Sequence, residues 1–463
     1  MQLPKAFIEK YQTLLAEEAE AFFQSLEKGK GEKAFRLNPI KAKLAPELTS
    51  DLIGNCLKAP FGHQAYFGEV KGKSPEHVAG LVYSQEPSAM IVADVAEAKA
   101  GERILDLCAA PGGKTTQLAA DMAGEGLLVS NEIIPKRAKI LAENVERWGY
   151  PHVVVTNHSP AELVAHFPEF FDAVVVDAPC SGEGMFRKDN PASDLWEEST
   201  PIICQRRQKD ILLEAVKMLK VGGRLIYSTC TFAKEEDEEI VSWLVEELGL
   251  SIEAIDRQGC SHGRKEWGSV PGLEGTVRLW PHLQKGEGHF VAKLVKGKAS
   301  EIFYQDKSDM PKKNKKKRQK SQKTPRQFSK EEQVYLEDLL ARFPFEKTGK
   351  LVRFGDRVYY QAEDFPDSQG LKLPLPGLAI GEFRKNRIEP LHAFALLADP
   401  CVEKWPRIDL TEEEWRLYMS GQSLPYKGQS SWVLLTYRHL PFAFAKHTAG
   451  QLKNAYPKGL RFV

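Results

Sequence analysis

The sequence predicts an α/β protein: a mostly parallel, doubly wound sheet over residues 91–296, with a small α+β module before it and a β-rich region after it. Three observations carry this. Short runs of Val, Ile and Leu alternate with amphipathic helical stretches between 91 and 296, as buried parallel strands and their crossover helices require. A glycine turn, Asp106-Leu-Cys-Ala-Ala-Pro-Gly-Gly-Lys114, joins one of those strands to a helix, the form of a ligand cradle at the carboxyl edge of an open sheet. Beyond about residue 329 the composition is again globular, and Leu371-Lys-Leu-Pro-Leu-Pro-Gly-Leu-Ala-Ile-Gly381 carries the Gly and Pro spacing of a compact β module.

Taken in order, residues 1–28 place Phe7, Tyr11, Leu14, Leu15, Phe22 and Phe23 at helical spacing, which predicts an amphipathic helix. Arg36-Leu-Asn-Pro-Ile-Lys41 reads as a strand end with exposed polar groups. The module 1–90 closes on Tyr83-Ser-Gln-Glu-Pro-Ser-Ala-Met90. Strands are expected at 103–107, 127–131, 152–156, 171–177, 224–228, 277–279 and 289–294. Helices are expected from 115, over 135–148 with Pro135 at the start and Gly149 as the stop, over 201–219 ending at Gly222-Gly223, and over 235–248. Residues 311–330 hold ten Lys or Arg and no acid, so 297–328 is expected to be a flexible basic linker that can also contact phosphates. The fourth segment is 329–463.

Composition narrows the function. The 463 residues are 42% hydrophobic and 27% charged with a net charge of +1, which fits a soluble, cytoplasmic protein. The N-terminus lacks a signal-peptide core, and no apolar run reaches a membrane span. Seven scattered cysteines with no Cys-x-x-Cys pair disfavour a disulfide framework and a zinc site, so no metal is expected.

The glycine turn is neither of two familiar cradles. A Walker loop needs a glycine where Cys108 stands, and a dinucleotide fingerprint needs three glycines where only Gly112 and Gly113 occur. A nucleoside ligand without a polyphosphate, such as S-adenosylmethionine, suits it. The strands ending near 107, 177 and 228 should be central neighbours, so their loops would converge with Asp106, Asp177-Ala-Pro-Cys180 and Thr229-Cys230.

These motifs, with Tyr227-Ser-Thr-Cys-Thr231, Gly275-Thr-Val-Arg-Leu-Trp-Pro-His282 and Gly286-Glu-Gly-His-Phe290, resemble the signature set of the Sun-type RNA cytosine-5 methyltransferases. The C-terminal part is similar to the bacterial small-subunit ribosomal RNA branch. The resemblance implies a Rossmann-like S-adenosylmethionine-dependent sheet, an RNA-binding N-terminal module and a PUA-like C-terminal domain. It implies Cys230 as the nucleophile that adds to carbon 6 of cytosine, Cys180 as the group assisting proton removal or product release, and Asp177 as the acid at the cytosine edge. Lys114, Arg187 or Lys188 would activate Cys230. The cofactor would lie against Cys108, Ala109, Ala110, Pro111, Gly112, Gly113, Lys114, Glu132, Arg137 and Asp177, with Asn157 near the adenine where a carboxylate is usual. Arg36 and Asn38 match an N-terminal pair of the family, although strand-end packing fits them equally. Glu382-Phe-Arg-Lys-Asn-Arg387 suits backbone phosphates or an exposed charged hairpin. The partner would be ribosomal RNA or the small subunit, met by a monomer that flips its target base. A transfer RNA target, methylation of an exocyclic amine, and a non-catalytic assembly factor are the competing readings.

Overall fold

The computed structural model describes residues 3–28, 31–188, 195–298, 326–345 and 348–462. The expected linker lies outside the described residues over 299–325.

The chain begins with two helices, Lys5–Leu15 and Ala19–Lys28, broken by a single 3-10 turn rather than forming one continuous helix. Phe7, Tyr11 and Phe22 bury one face of the pair against Phe186, Trp196, Phe232 and Trp280 of the later sequence. A three-stranded antiparallel sheet follows, with β1 (Ala34–Leu37) between β2 (Ala65–Phe67) and β3 (Val82–Ser84).

The central sheet has nine strands: β4 (Arg103–Asp106), β5 (Leu127–Asn131), β6 (Val153–Thr156), β7 (Phe171–Asp177), β8 (Leu219–Thr229), β9 (Leu250–Glu253), β10 (Ser261–His262), β11 (Val277–Leu279) and β12 (His289–Lys296). Their order is β10-β11-β12-β8-β7-β4-β5-β6, with β9 also on β12. The five strands from β8 to β6 are parallel, and β9 to β12 add antiparallel, so the sheet is mixed. Alternate residues of β4 show why it forms: Ile104 enters one core and Leu105 the other, so the strand is buried on both faces. The helix Pro135–Trp148 has Pro at its first turn and ends at Gly149, whose φ of 86° is the left-handed conformation a glycine stop supplies. β8 starts at Leu219, directly after the helix Thr200–Met218, so Gly222 and Gly223 lie within a strand instead of ending the helix.

The C-terminal region holds a helix (Lys330–Arg342), a four-stranded antiparallel sheet and a five-stranded mixed sheet. Its second sheet shares a core with the N-terminal module, where Trp415, Tyr418 and Phe442 meet Phe35, Leu37 and Leu48. Residues 371–375 depart from the expected β module. They run along the edge of β6, where Leu375 bridges Val155 and the Lys372 N–H donates to His158 Nε2 at 2.7 Å. The edge strand is thereby covered.

Two readings are corrected, the first being the exposed polar groups expected at 36–41. Arg36 and Asn38 are 1% and 0% exposed, and Lys41 is buried too. Arg36 donates to Gln85 Oε1, the Gly113 carbonyl and Thr116 Oγ1, each at 2.7 Å. Asn38 donates to the Trp148 carbonyl at 2.8 Å. Partners 49 to 110 residues away leave no local trace of this packing. The helix expected over 235–248 is the second: it runs only over Glu238–Glu246, and Glu236, Asp237 and Glu238 are all buried.

Candidate active site

The chain winds outward from β4 through β5 to β6, then returns to the other side of β4 as β7 and continues to β8. This reversal opens a crevice beyond the carboxyl ends of β4 and β7, where open α/β sheets bind ligands. A cavity of about 570 Å³ occupies it, lined by Leu107, Cys108, Ala110, Glu132, Ile133 and Ile134 on one side and by Asp177, Pro179, Cys180 and Cys230 on the other.

Asp106 closes β4. One of its oxygens accepts from Thr115 Oγ1 at 2.6 Å and the other is buried without a hydrogen-bond partner among the described residues. Burial pushes its carboxyl up to about 7. The helix Gly113–Asp121 starts directly after Gly112, whose φ of 113° takes the turn sharply into it. Glu132 follows β5 and is 3% exposed, accepting from Ile134 N at 2.8 Å and facing Arg137 at 3.2 Å. Arg137 also donates to the Ala110 carbonyl at 2.7 Å, fixing the far side of the turn.

Of the residues read as cofactor contacts, Cys108, Ala110, Glu132, Arg137 and Asp177 line the cavity. Ala109, Pro111, Gly112 and Gly113 shape the turn without lining it. Asn157 lines no part of this cavity, and its amide nitrogen donates to the carbonyls of Glu132 and Ile133, at 2.7 and 3.0 Å. Burial forces the Cys108 thiol far above its ordinary value, which suits a packing role.

Cys180 and Cys230, on the loops after β7 and β8, have sulfurs 3.3 Å apart. The hydrogen bond to Cys230, together with burial, pushes the Cys180 thiol well up. Asp177 Oδ2 accepts from Lys114 Nζ at 2.5 Å and Oδ1 from Ser228 Oγ at 2.8 Å, while His289 Nε2 lies 4.0 Å from Oδ1. Burial opposes ionisation of Asp177, but Lys114, His289 and Ser228 outweigh it and hold the carboxyl below its usual value. Burial likewise opposes the charge on Lys114, and Asp177 and Cys230 overcome it, leaving the ammonium raised. Burial takes His289 down to about 4, so its ring is neutral near pH 7.

Arg187 is engaged by Glu287 at 2.8 Å and by the Gly286 carbonyl, while Lys114 lies within electrostatic reach of Cys230. The side chain of Lys188 lies outside the described residues. Cys204 is buried and pushed up to about 11. Arg384 and Arg387 pair with Glu382 and Glu389 on an exposed hairpin.

Sequence reasoning missed Glu236. Its carboxylate accepts from Ser181 N at 3.0 Å and Gln208 Nε2 at 2.8 Å, steadying the residue next to Cys180, and burial lifts it to about 8. An acid inside an acidic run gives no sign of this.

The cradle fits S-adenosylmethionine. Ile133, Ile134 and Leu107 offer apolar walls for a base, Glu132 offers a carboxylate past β5 for ribose hydroxyls, and the turn has no phosphate-binding signature. Fold and cavity therefore define an S-adenosylmethionine-dependent methyltransferase.

Four family models match successive stretches of the chain. Residues 93–295 match 16S rRNA methyltransferase RsmB/F and 3–87 the N-terminal domain of 16S rRNA methyltransferase RsmF. Residues 327–397 match the RsmF first C-terminal domain and 406–462 the RsmF PUA domain. Ribosomal RNA small subunit methyltransferase F of Shewanella oneidensis is 32% identical over 400 residues, covering 85% of this chain and 81% of that protein. The protein of the same name from Vibrio campbellii is 31% identical over 490 residues, covering 99% and 97%. A solved methyltransferase homolog from Pyrococcus horikoshii superposes with a TM-score of 0.57 at 27% identity, over 63% of this chain and 95% of that one. The chain belongs to the 16S rRNA methyltransferase RsmB/F family, in the branch of methyltransferase F. No helix among the described residues is long and apolar enough to cross a membrane.

Proposed function

We propose that this enzyme forms 5-methylcytosine in small-subunit ribosomal RNA through a covalent bond between Cys230 and carbon 6 of the target base. The observation that carries the reading is the 3.3 Å approach of Cys180 and Cys230 on the cavity that also holds Asp177. Methylation of an exocyclic amine needs no such sulfur pair. The relatives are named for ribosomal RNA of the small subunit, and the PUA match at 406–462 supports an RNA partner.

Carbon 5 of cytosine is a weak nucleophile. When the Cys230 sulfur, its proton given up to solvent, adds to carbon 6 as the thiolate, the electron pair of the C5–C6 double bond moves toward carbon 5 and the ring edge. Asp177, held by Lys114 and Ser228, accepts a hydrogen bond from that edge, and Lys114 keeps a proton at the same place as charge builds. Glu132 and the turn at 108–110 would hold S-adenosylmethionine, which when bound supplies an electrophilic methyl group. With carbon 5 methylated, its proton passes to Cys180 while the Cys180 proton passes to the departing Cys230 sulfur. The C–H pair then closes the C5–C6 bond and the C6–S bond breaks. The base must leave its stack to reach the sulfurs.

The test is incubation of ribosomal RNA and S-adenosylmethionine with wild type, Cys230→Ala and Cys180→Ala, followed by nucleoside mass spectrometry and a denaturing gel. Wild type makes 5-methylcytosine, Cys230→Ala makes none, and Cys180→Ala holds RNA covalently. Product from Cys230→Ala, or a methyl on nitrogen, overturns the reading.

A further inference from the structure

The loops bearing the two cysteines are joined by side chains that line no part of the cavity. Thr231, next to Cys230, donates to Glu183 Oε2 at 2.9 Å, and Ser181, next to Cys180, meets Thr231 Oγ1 at 2.7 Å. A carboxylate only accepts, so the Thr231 proton points to Glu183 and Ser181 must donate to Thr231. The direction of the whole hydroxyl chain is therefore set by one carboxylate. Glu183 also accepts from Phe232 N at 3.2 Å and Trp196 Nε1 at 3.0 Å, and the Gly184 N–H reaches the Cys230 carbonyl at 2.9 Å.

The shortest bond to Glu183 comes from the far end of the sequence. Tyr11, on the helix Lys5–Leu15, donates its phenol to Glu183 Oε2 at 2.5 Å. It is fully buried, with its ring 5.4 Å from Phe22 and 6.3 Å from Phe232. Burial, with Glu183 beside it, raises the phenol well above its usual value, so the hydroxyl stays a donor.

We propose that Tyr11 is a positioning residue for the sulfur pair: through Glu183 it orders the Thr231–Ser181 hydroxyls and keeps Cys180 against Cys230 for release of the covalent adduct. The inference rests on the covalent reading above. In that release the carbon 5 proton goes to Cys180, the Cys180 proton goes to Cys230, and the C6–S pair leaves with the Cys230 sulfur. Both transfers need the sulfurs within hydrogen-bond reach, and Tyr11 lets the first helix of the chain fix that distance without touching a reacting atom.

The variant is Tyr11→Phe, which keeps the ring and its packing and removes one hydroxyl. Steady-state turnover on ribosomal RNA is measured together with the fraction of enzyme bound covalently to RNA on a denaturing gel. The expected result is a fall in kcat of about tenfold with KM for RNA unchanged, and an adduct that persists as in Cys180→Ala. Wild-type kcat, or a loss of kcat without adduct, overturns the inference. If Tyr11→Phe loses its circular dichroism signal, Glu183→Gln and Glu183→Ala decide. Glutamine keeps a carbonyl oxygen for Tyr11 and Thr231, so it must release adduct faster than alanine, and equal rates overturn the inference. Absence of adduct in Cys180→Ala instead breaks the covalent reading itself.

Discussion

Lys114, in the first turn of the helix after β4, and Asp177, the last residue of β7, form a 2.5 Å ion pair whose members are each shifted toward the charged state against the pull of burial. A charge pair of this kind at a cavity wall is costly to assemble and valuable where the bound base gains charge.

Lys114→Met removes the main group holding the Asp177 carboxyl down, so that carboxyl rises. The ionised form of Asp177 persists only above its own value, and activity is lost as pH falls through it. The acid limb of kcat/KM therefore moves to higher pH in the variant, and the plateau falls by about a hundredfold. A pH–rate profile checks both.

Arg36→Ala strips three donors from beneath the glycine turn and leaves a void. A loss of about 3 kcal/mol in stability is expected, read by urea unfolding. S-adenosylhomocysteine titrated in a calorimeter should bind more weakly, because the Gly113 carbonyl loses its anchor.

His152 is 2% exposed, has no hydrogen-bond partner on either nitrogen among the described residues, and is held by burial at about 3. Its folded value lies below the ordinary 6.5, so the unfolded chain takes up a proton first as pH falls. Stability is whole above about 6.5 and drains below it. His152→Phe should recover about 2 kcal/mol of that loss by pH 5, measured as the difference between melting curves at pH 5 and pH 8.

Arg278 is buried between Glu238 at 2.5 Å and Asp237 at 2.9 Å. Arg278→Met leaves two carboxylates facing each other without a cation. Denaturant unfolding should show a loss of about 3–5 kcal/mol.

How far the sequence could be read depended on how local each cause was. The strand Leu127–Asn131 and the helix Pro135–Trp148 were legible to the residue, because their apolar runs, a leading proline and a closing glycine sit within the elements themselves. The convergence of Asp106, Asp177, Cys180 and Cys230 was legible because strand order in such sheets follows from their connections. Arg36 and Glu236 were not, and for Tyr11 only its place on the apolar face of the first helix was. Each has its partner in a distant segment, so only the folded chain shows what their polar groups meet. Residues 371–375 failed for the reverse reason: Pro374 and the flanking Gly370, Pro376 and Gly377 signal turns, while the edge of β6 recruits the stretch as an added extended strip.

The guanidinium of Arg36 props up the donor-binding turn from a part of the chain that could pass for an accessory. A fragment trimmed to begin at residue 91 would carry every reacting group and still lack the keystone under Gly113. Efforts to miniaturise this enzyme, or to graft its sheet onto another RNA-recognition scaffold, must therefore transplant the first ninety residues along with it.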